Sequence, residues 1–164
     1  MKRAGSHIKV VVLILITTCV IVAGIMISRT KWDFHLVTYK SQDMEPIIAK
    51  NETLIVKYEV ENIRRGDIVI FIYPADHSQR FIKRVVGLPG EVVSIREGRV
   101  FIDEKPLDES YLKGELNTSR RIAPDYRIPL GTYYVLGDNR DASNDSRFWG
   151  ALSAELIYGK VMFK

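Results

Sequence analysis

The chain has 164 residues, a formal net charge of +4 and a single cysteine, Cys19. Once an N-terminal anchor is subtracted, this length suits one domain with a sizeable core and excludes two independent ones. There is no run of five like charges, and no P-loop, Rossmann fingerprint or zinc finger, so the sequence predicts no nucleic-acid partner. Because Cys19 lies in an apolar segment, the rest of the chain offers no disulfide, cysteine nucleophile or cysteine metal ligand.

The first predicted element is a transmembrane anchor over residues 10–28. Its run VVVLILITTCVIVAGIMI is uncharged, and about 18 residues are just enough to cross the hydrocarbon core of a bilayer. Basic residues are slightly more numerous before the run than after it, which predicts residues 1–9 in the cytoplasm and residues 32–164 on the outer face of the cell membrane. A cleavable signal peptide is the alternative, but the run is long for one and lacks a small-x-small cleavage pattern.

Beyond Trp32 the pattern is one of short strands joined by Gly and Pro turns, without a long helical period. It predicts a mostly β fold, either a mixed barrel or a folded sheet. The dipeptide Glu97-Gly98 between two alternating runs predicts a hairpin, and the polar stretch 107–129 predicts an irregular, exposed excursion. Strands are predicted within 53–58, 66–73, 80–91, 92–103, 131–138 and 153–163.

Two polar features interrupt the apolar pattern. Lys83 lies in a predicted strand, where burial would favour its neutral form and make it a general base; the alternative is an edge-strand lysine that extends to water. The segment GDNRDASNDSRFWG, residues 137–150, is either a solvated turn with local salt bridges or a polar network that positions an active-site group. Composition alone leaves both alternatives open.

Three segments follow the anchor in order: SQDMEPII, RFIKRVVGLPGE and GDNRDASNDSRFWG. In these segments the chain resembles the type I signal peptidases, most closely in the last one, and the resemblance covers residues 37–164. It implies a membrane-anchored serine endopeptidase with a Ser/Lys dyad on a largely β fold, without a metal or cofactor. It also implies that the partners are the signal peptides of exported preproteins and the lipid bilayer.

The resemblance assigns roles to individual residues. Lys83 stands at the position of the general base, and Ser143 at the position that hydrogen-bonds and orients that lysine. Asp145 and Arg147 stand where the family has a supporting ion pair. Ser41 stands where some members place a hydroxyl that contributes to the oxyanion hole.

One residue departs from this pattern. Asp43 stands at the position of the nucleophilic serine, although Met44 and Pro46 keep the rest of the segment. A carboxylate has no proton to give and is a poor nucleophile toward an amide. An anion close to Lys83 also favours the charged form of the lysine. We therefore expect an ion pair between Asp43 and Lys83, and a chain that does not cleave peptides.

Three hypotheses about activity follow. The first is a non-catalytic homologue that binds exported preproteins, or an active paralogous peptidase, at the membrane. The second is an active peptidase that uses Lys83 as base and a substitute nucleophile such as Ser41. In an extended chain, however, Ser41 would lie roughly 6.5 Å from residue 43, which is too far for the same attack geometry. The third is a degenerate paralogue with a stable fold and no function. The intact last segment favours the first hypothesis.

Overall fold

The chain divides into two compact units, Met1–Asp33 and Phe34–Lys164. In the first unit, residues 15–22 are helical and are called α1. Among the residues that the structure describes, no helix is long and apolar enough to span a membrane, and about half of the predicted span over 10–28 lies outside those residues. The computed structural model describes residues 12, 15–22, 34–58, 60–112 and 123–163.

The second unit is mostly β, as predicted, with two short helical turns near its C-terminal end. Its elements in chain order are β1 (Phe34–Thr38), β2 (Thr53–Tyr58), β3 (Ile68–Ile72), β4 (Arg80–Gly87), β5 (Val92–Arg96), β6 (Arg99–Ile102), β7 (Lys105–Pro106), β8 (Ala123–Arg127), β9 (Thr132–Leu136), α2 (Ser146–Trp149), β10 (Leu152–Ser153), a 3₁₀ turn (Ala154–Leu156) and β11 (Ile157–Phe163).

These strands form two sheets. Seven strands pair in the order β1-β2-β11-β3-β4-β9-β10, and four pair in the order β7-β6-β5-β8. All the described pairs are antiparallel. The C-terminal strand β11 inserts between β2 and β3, so strands from both ends of the unit are neighbours in the larger sheet. The short apolar runs in the sequence therefore form the strands of two antiparallel sheets.

Burial along the strands explains their sequence patterns. In β2 the side chains of Leu54 and Val56 are buried while Ile55 and Lys57 are exposed, so one face of the strand packs on the core. Strand β3 lies between β4 and β11, and its three central residues are all buried. The continuous apolar run that predicted a buried strand there reflects burial on both faces.

The predicted hairpin at Glu97-Gly98 is present between β5 and β6. Both loop residues have positive φ angles, 50° for Glu97 and 79° for Gly98, and Arg96 pairs with Arg99 on either side. A two-residue loop with two left-handed residues matches the twist of the strands it joins.

The loop between β1 and β2 is held by buried side chains at both of its ends. Tyr39, Met44 and Ile48 join one core cluster with Ile82 of β4, and the Ile48 amide donates to the Met44 carbonyl over 2.9 Å. Residue 43 therefore lies on a loop whose neighbours are anchored in the core.

The predicted irregular excursion over 107–129 is partly wrong. Residues 123–127 form β8, which pairs with β5 at the edge of the smaller sheet. Pro124 lowers the sequence signal for a strand but is tolerated at an edge, where its missing N–H is not needed. Leu107 packs against the core cluster beneath β5 and β6. Residues 113–122 lie outside the described residues.

Candidate active site

Lys83 lies in the interior of the larger sheet. It belongs to β4, between β3 and β9, and its side chain is fully buried. The alternative of an edge-strand lysine that reaches water is therefore wrong. Its ammonium lies 5.0 Å from the centroid of the Phe81 ring and 3.3 Å from the Ile82 carbonyl oxygen.

Asp43 is the ionic partner of this lysine. Its Oδ2 accepts a hydrogen bond from Lys83 Nζ, which forms the ion pair expected from the sequence. Its other oxygen, Oδ1, accepts from the hydroxyl of Tyr39, a buried residue four positions earlier. Both carboxylate oxygens are thus engaged by side chains, and the lysine amine is bound by an anion.

Burial decides the acidity of Asp43. Loss of hydration raises the pKa of its carboxyl above the usual value of 3.8, although the charge and the hydrogen bond of Lys83 lower it. Desolvation penalises the charged form of any carboxyl, and here it outweighs the attraction of a single cation. The Asp43–Lys83 pair therefore lies in a poorly hydrated part of the site, where burial disfavours the charged form of Asp43.

The segment 137–150 binds the backbone of the Asp43 loop. The Asn139 amide N–H donates to the Asp43 carbonyl over 3.0 Å, and Asn139 Nδ2 donates to the Gln42 carbonyl over 3.3 Å. Gly137 permits this approach, because a Cβ there would overlap Ser143 Oγ and come within 2.5 Å of the Asp43 carbonyl oxygen. The two segments that the sequence singled out therefore meet in one place.

Ser143 lies at this meeting point, but its hydroxyl is unbonded. The side chain is buried and Oγ has no hydrogen-bond partner among the described residues. The bond to Lys83 that the resemblance implies is therefore not formed in this structure, since the lysine amine is directed to Asp43 instead. A buried hydroxyl without a partner is uncommon in folded proteins.

Asp145 and Arg147 form the predicted ion pair. Arg147 Nε lies 2.7 Å from Asp145 Oδ1, and Nη2 lies 2.8 Å from Oδ2, in a buried bidentate arrangement. Asp145 also caps α2 and accepts from the Gly137 amide over 3.1 Å. The segment is thus the polar network that was one of its two alternatives, and the solvated-turn alternative is wrong.

Ser41 stands beside the pair on the exposed side. Its Oγ accepts from the Asp43 amide at 3.4 Å, because the chain bends at residue 42 and continues as a turn. The chain is therefore not extended from Ser41 to Asp43, unlike the conformation assumed from the sequence. The Ser41 hydroxyl can still donate its own hydrogen, as a group that stabilises an oxyanion does. Among the described residues, no group of three or more His, Cys, Asp or Glu side chains could hold a metal ion.

Comparison with known proteins identifies the family of the chain. Residues 8–164 match the family described as signal peptidase, peptidase S26. The chain belongs to the signal peptidase S26 family. A signal peptidase I of Leptolyngbya laminosa is 37% identical over 140 residues, which cover 76% of this chain and 64% of that protein. Signal peptidase IB of Staphylococcus aureus is 32% identical over 145 residues, covering 77% of this chain and 75% of that protein.

A solved structure of a signal peptidase I from Enterococcus faecalis has the same fold. It superposes with a TM-score of 0.53 and 31% sequence identity, and the match covers 63% of this chain and all of the crystallised chain. The signal peptidase I-like β fold is thereby confirmed. The chain spans less than two thirds of the length of the Leptolyngbya relative.

Sequence reasoning missed several residues of this signal peptidase-like site. Tyr39 gives no signal, because a tyrosine at the end of a strand is ordinary. Arg140 donates from Nε to the Gly137 carbonyl over 2.9 Å and pairs with Glu109, which lies within the stretch read as an exposed excursion. Arg84 makes a bidentate pair with Asp138 at 2.8 and 2.6 Å. A dense mixture of charges in 137–150 was the available signal for such pairs.

Proposed function

We propose that this signal peptidase homologue binds signal-peptide-bearing exported proteins at the membrane and does not cleave them. The observation that carries the proposal is the ion pair between Asp43 and Lys83 at the positions of the nucleophile and the general base. A serine mechanism needs a hydroxyl that loses its proton and an unprotonated amine that takes it. Asp43 offers no hydroxyl, and its carboxylate binds the Lys83 amine in the ion pair.

The surrounding site supports retention of a binding role. Asn139 still holds the backbone of the Asp43 loop, and Asp145 still pairs with Arg147. Ser41, which the resemblance assigns to an oxyanion hole, lies with its Oγ 3.4 Å from the Asp43 amide nitrogen. The change at position 43 therefore leaves the contacts around the site in place.

The decisive experiment restores the nucleophile in the full chain. We expect no cleavage of a preprotein by the native chain and measurable cleavage by Asp43→Ser, with a rate on the order of 10³-fold or more above background. Asp43→Asn is the matched control, because it removes the charge without supplying a hydroxyl, and it should stay inactive. Adding Lys83→Met to Asp43→Ser should abolish the cleavage.

Two results would contradict the proposal. Cleavage by the native chain that disappears in Lys83→Ala would establish an active peptidase. Failure of the native chain to bind a fluorescent preprotein at micromolar concentration would remove the binding role. If Asp43→Ser binds preprotein but does not cleave it, catalytic groups other than residue 43 have also been lost. The native chain would still bind preproteins without cleaving them, as proposed.

The alternative with Ser41 as nucleophile has no supporting contact. Among the described residues Ser41 Oγ is bonded to the Asp43 amide, and the Lys83 amine is bonded to Asp43 and Ile82. Without a base beside it, a serine hydroxyl is a weak nucleophile. Ser41→Ala should therefore not change the absence of preprotein cleavage by the native chain.

The proposal includes the membrane topology expected from the sequence, with residues 10–28 as a single span, 1–9 in the cytoplasm and 32–164 outside. The uncharged run over residues 10–27 supports it. Labelling of cells with a membrane-impermeant maleimide should modify Ser78→Cys without lysis and Ser6→Cys only after lysis. The reverse pattern, or equal labelling, would contradict this topology.

A further inference from the structure

A pocket beside the Asp43–Lys83 pair combines tyrosines with unpaired cations. It has a volume of 420 Å³ and its walls include Tyr39, Tyr58 and Tyr158 together with aliphatic side chains from β3 and β4. Arg80 and Lys40 also line it, and no carboxylate from the described ranges does. The pocket therefore offers apolar contact area and positive charge together.

The pocket is continuous with the candidate active site. Tyr39 lines the pocket and its hydroxyl donates to Asp43 Oδ1, so one side chain connects the two. Ser41, whose Oγ contacts the Asp43 amide, also lines the pocket. A peptide chain whose backbone lies at Asp43 can therefore place a neighbouring group inside the pocket.

Arg80 differs from the other arginines near the site. Arg84, Arg140 and Arg147 each pair with a buried or half-buried carboxylate. Arg80 forms no ion pair among the described residues, and its guanidinium carbon lies 5.6 Å from the centroid of the Tyr158 ring. A guanidinium that packs its face on an aromatic ring can still direct the N–H groups at its edge, in its own plane, to a planar anion.

We propose that this pocket selects a peptide by its carboxylate, which Arg80 binds, with the tyrosines in contact with the adjoining apolar part. The inference rests on the proposed peptide-binding function. The carboxylate has two possible sources, an aspartate or glutamate side chain within the peptide or a free C-terminus such as peptide cleavage leaves. Lys40, also unpaired among the described residues, adds to the positive potential at the same pocket.

The expected preference is moderate because Arg80 is exposed. Ion pairs in contact with water contribute up to about 1 kcal/mol, so the carboxylate should strengthen binding by about fivefold at low salt. Salt should reduce the preference, since an exposed pair is screened.

The test uses the full chain in detergent micelles and three fluorescent peptides with one apolar signal-peptide sequence. One peptide ends in an amide, one ends in a free carboxylate, and one is amidated and carries aspartate in place of an internal alanine. Fluorescence anisotropy gives each dissociation constant. The variant is Arg80→Gln, and Arg99→Gln on the smaller sheet, also exposed and without an ion pair among the described residues, is the matched control.

We expect one or both carboxylate peptides to bind about fivefold more tightly than the neutral peptide, and the preference to vanish in Arg80→Gln but not in Arg99→Gln. Which carboxylate peptide gains identifies the source. Equal binding of all three peptides would overturn this inference and leave the proposed function intact. Binding of none would overturn the proposed function itself. A preference that survives Arg80→Gln would also overturn the role given to Arg80.

Discussion

Two loops meet at the candidate active site, and they hold their charges differently. The loop 41–48 places one carboxylate, Asp43, against a lysine from a distant strand. The loop 137–149 pairs Asp145 with Arg147 inside itself and adds bonds to Gly137 and to the start of α2. The first contact joins two elements through one ion pair, whereas the Asp145–Arg147 ion pair lies within a single segment.

The difference separates Asp43, which determines what the lysine beside it can do, from Asp145, which stabilises the fold. Asp145 has a bidentate cation, a backbone amide and a helix cap as partners, so its charge is fully compensated. Asp43 has Lys83 and a tyrosine hydroxyl, and burial still raises the pKa of its carboxyl. The Asp43–Lys83 pair should contribute little to stability, because the cost of desolvating the two charges offsets their attraction. We therefore expect the two loops to respond differently to the same type of substitution.

The largest expected effect is that of Asp145→Ala. It leaves Arg147 buried without a counter-ion and removes the cap of α2, so the free energy of unfolding should fall by about 3–5 kcal/mol. Asp125→Ala is the matched control, because Asp125 pairs with Arg96 on the exposed surface and should cost at most about 1 kcal/mol. Urea unfolding followed by tryptophan fluorescence measures both. Equal losses for the two variants would contradict the stabilising role given to the buried Asp145–Arg147 pair.

A smaller effect is expected where the two loops touch. In Gly137→Ala the added methyl group meets Ser143 Oγ and the Asp43 carbonyl oxygen, both of which belong to tightly packed segments. We expect a loss of about 1–3 kcal/mol in the free energy of unfolding. In the Asp43→Ser background the same change should reduce cleavage far more than Gly131→Ala, which strains a backbone with a φ of 74° but adds a Cβ that meets nothing within 4 Å. Equal activity of these two variants would show that the contact does not position the loop.

The smallest effect is on the pH dependence of stability. A carboxyl whose pKa is raised by folding binds protons more readily in the native state, so stability falls as the pH rises from 3.8 through the folded pKa of Asp43. Asp43→Asn should remove this fall. Asp76, whose pKa is lowered by hydrogen bonds from Ser78 and Gln79, should show the opposite sign, with stability lost as the pH falls below 3.8. The urea midpoints of the native chain, Asp43→Asn and Asp76→Asn, measured between pH 3 and pH 7, test both effects. If the two substitutions changed the pH dependence of the midpoint in the same direction, the opposite signs given to the two carboxyls would be contradicted.

The sequence predicted the elements with strong local patterns. The strands around Lys83 and Leu54 and the Glu97-Gly98 hairpin all came from alternation, apolar runs and turn residues, which act over a few positions. It missed β1 and β8, which are edge strands. An edge strand is solvated on more sides and therefore carries a weaker apolar pattern, and Pro124 weakened the signal of β8 further.

The sequence by itself determined the mostly β fold, the family and the departure at Asp43, because each depends on residue types at fixed spacings along the chain. The tertiary structure alone decided that Tyr39 is the second partner of Asp43, that Ser143 Oγ has no hydrogen-bond partner in the described part of the chain, and that Glu109 reaches Arg140. These are contacts between side chains from separate loops and strands. Their formation depends on how the sheets and loops pack, and short-range pattern in a sequence carries no information about that packing.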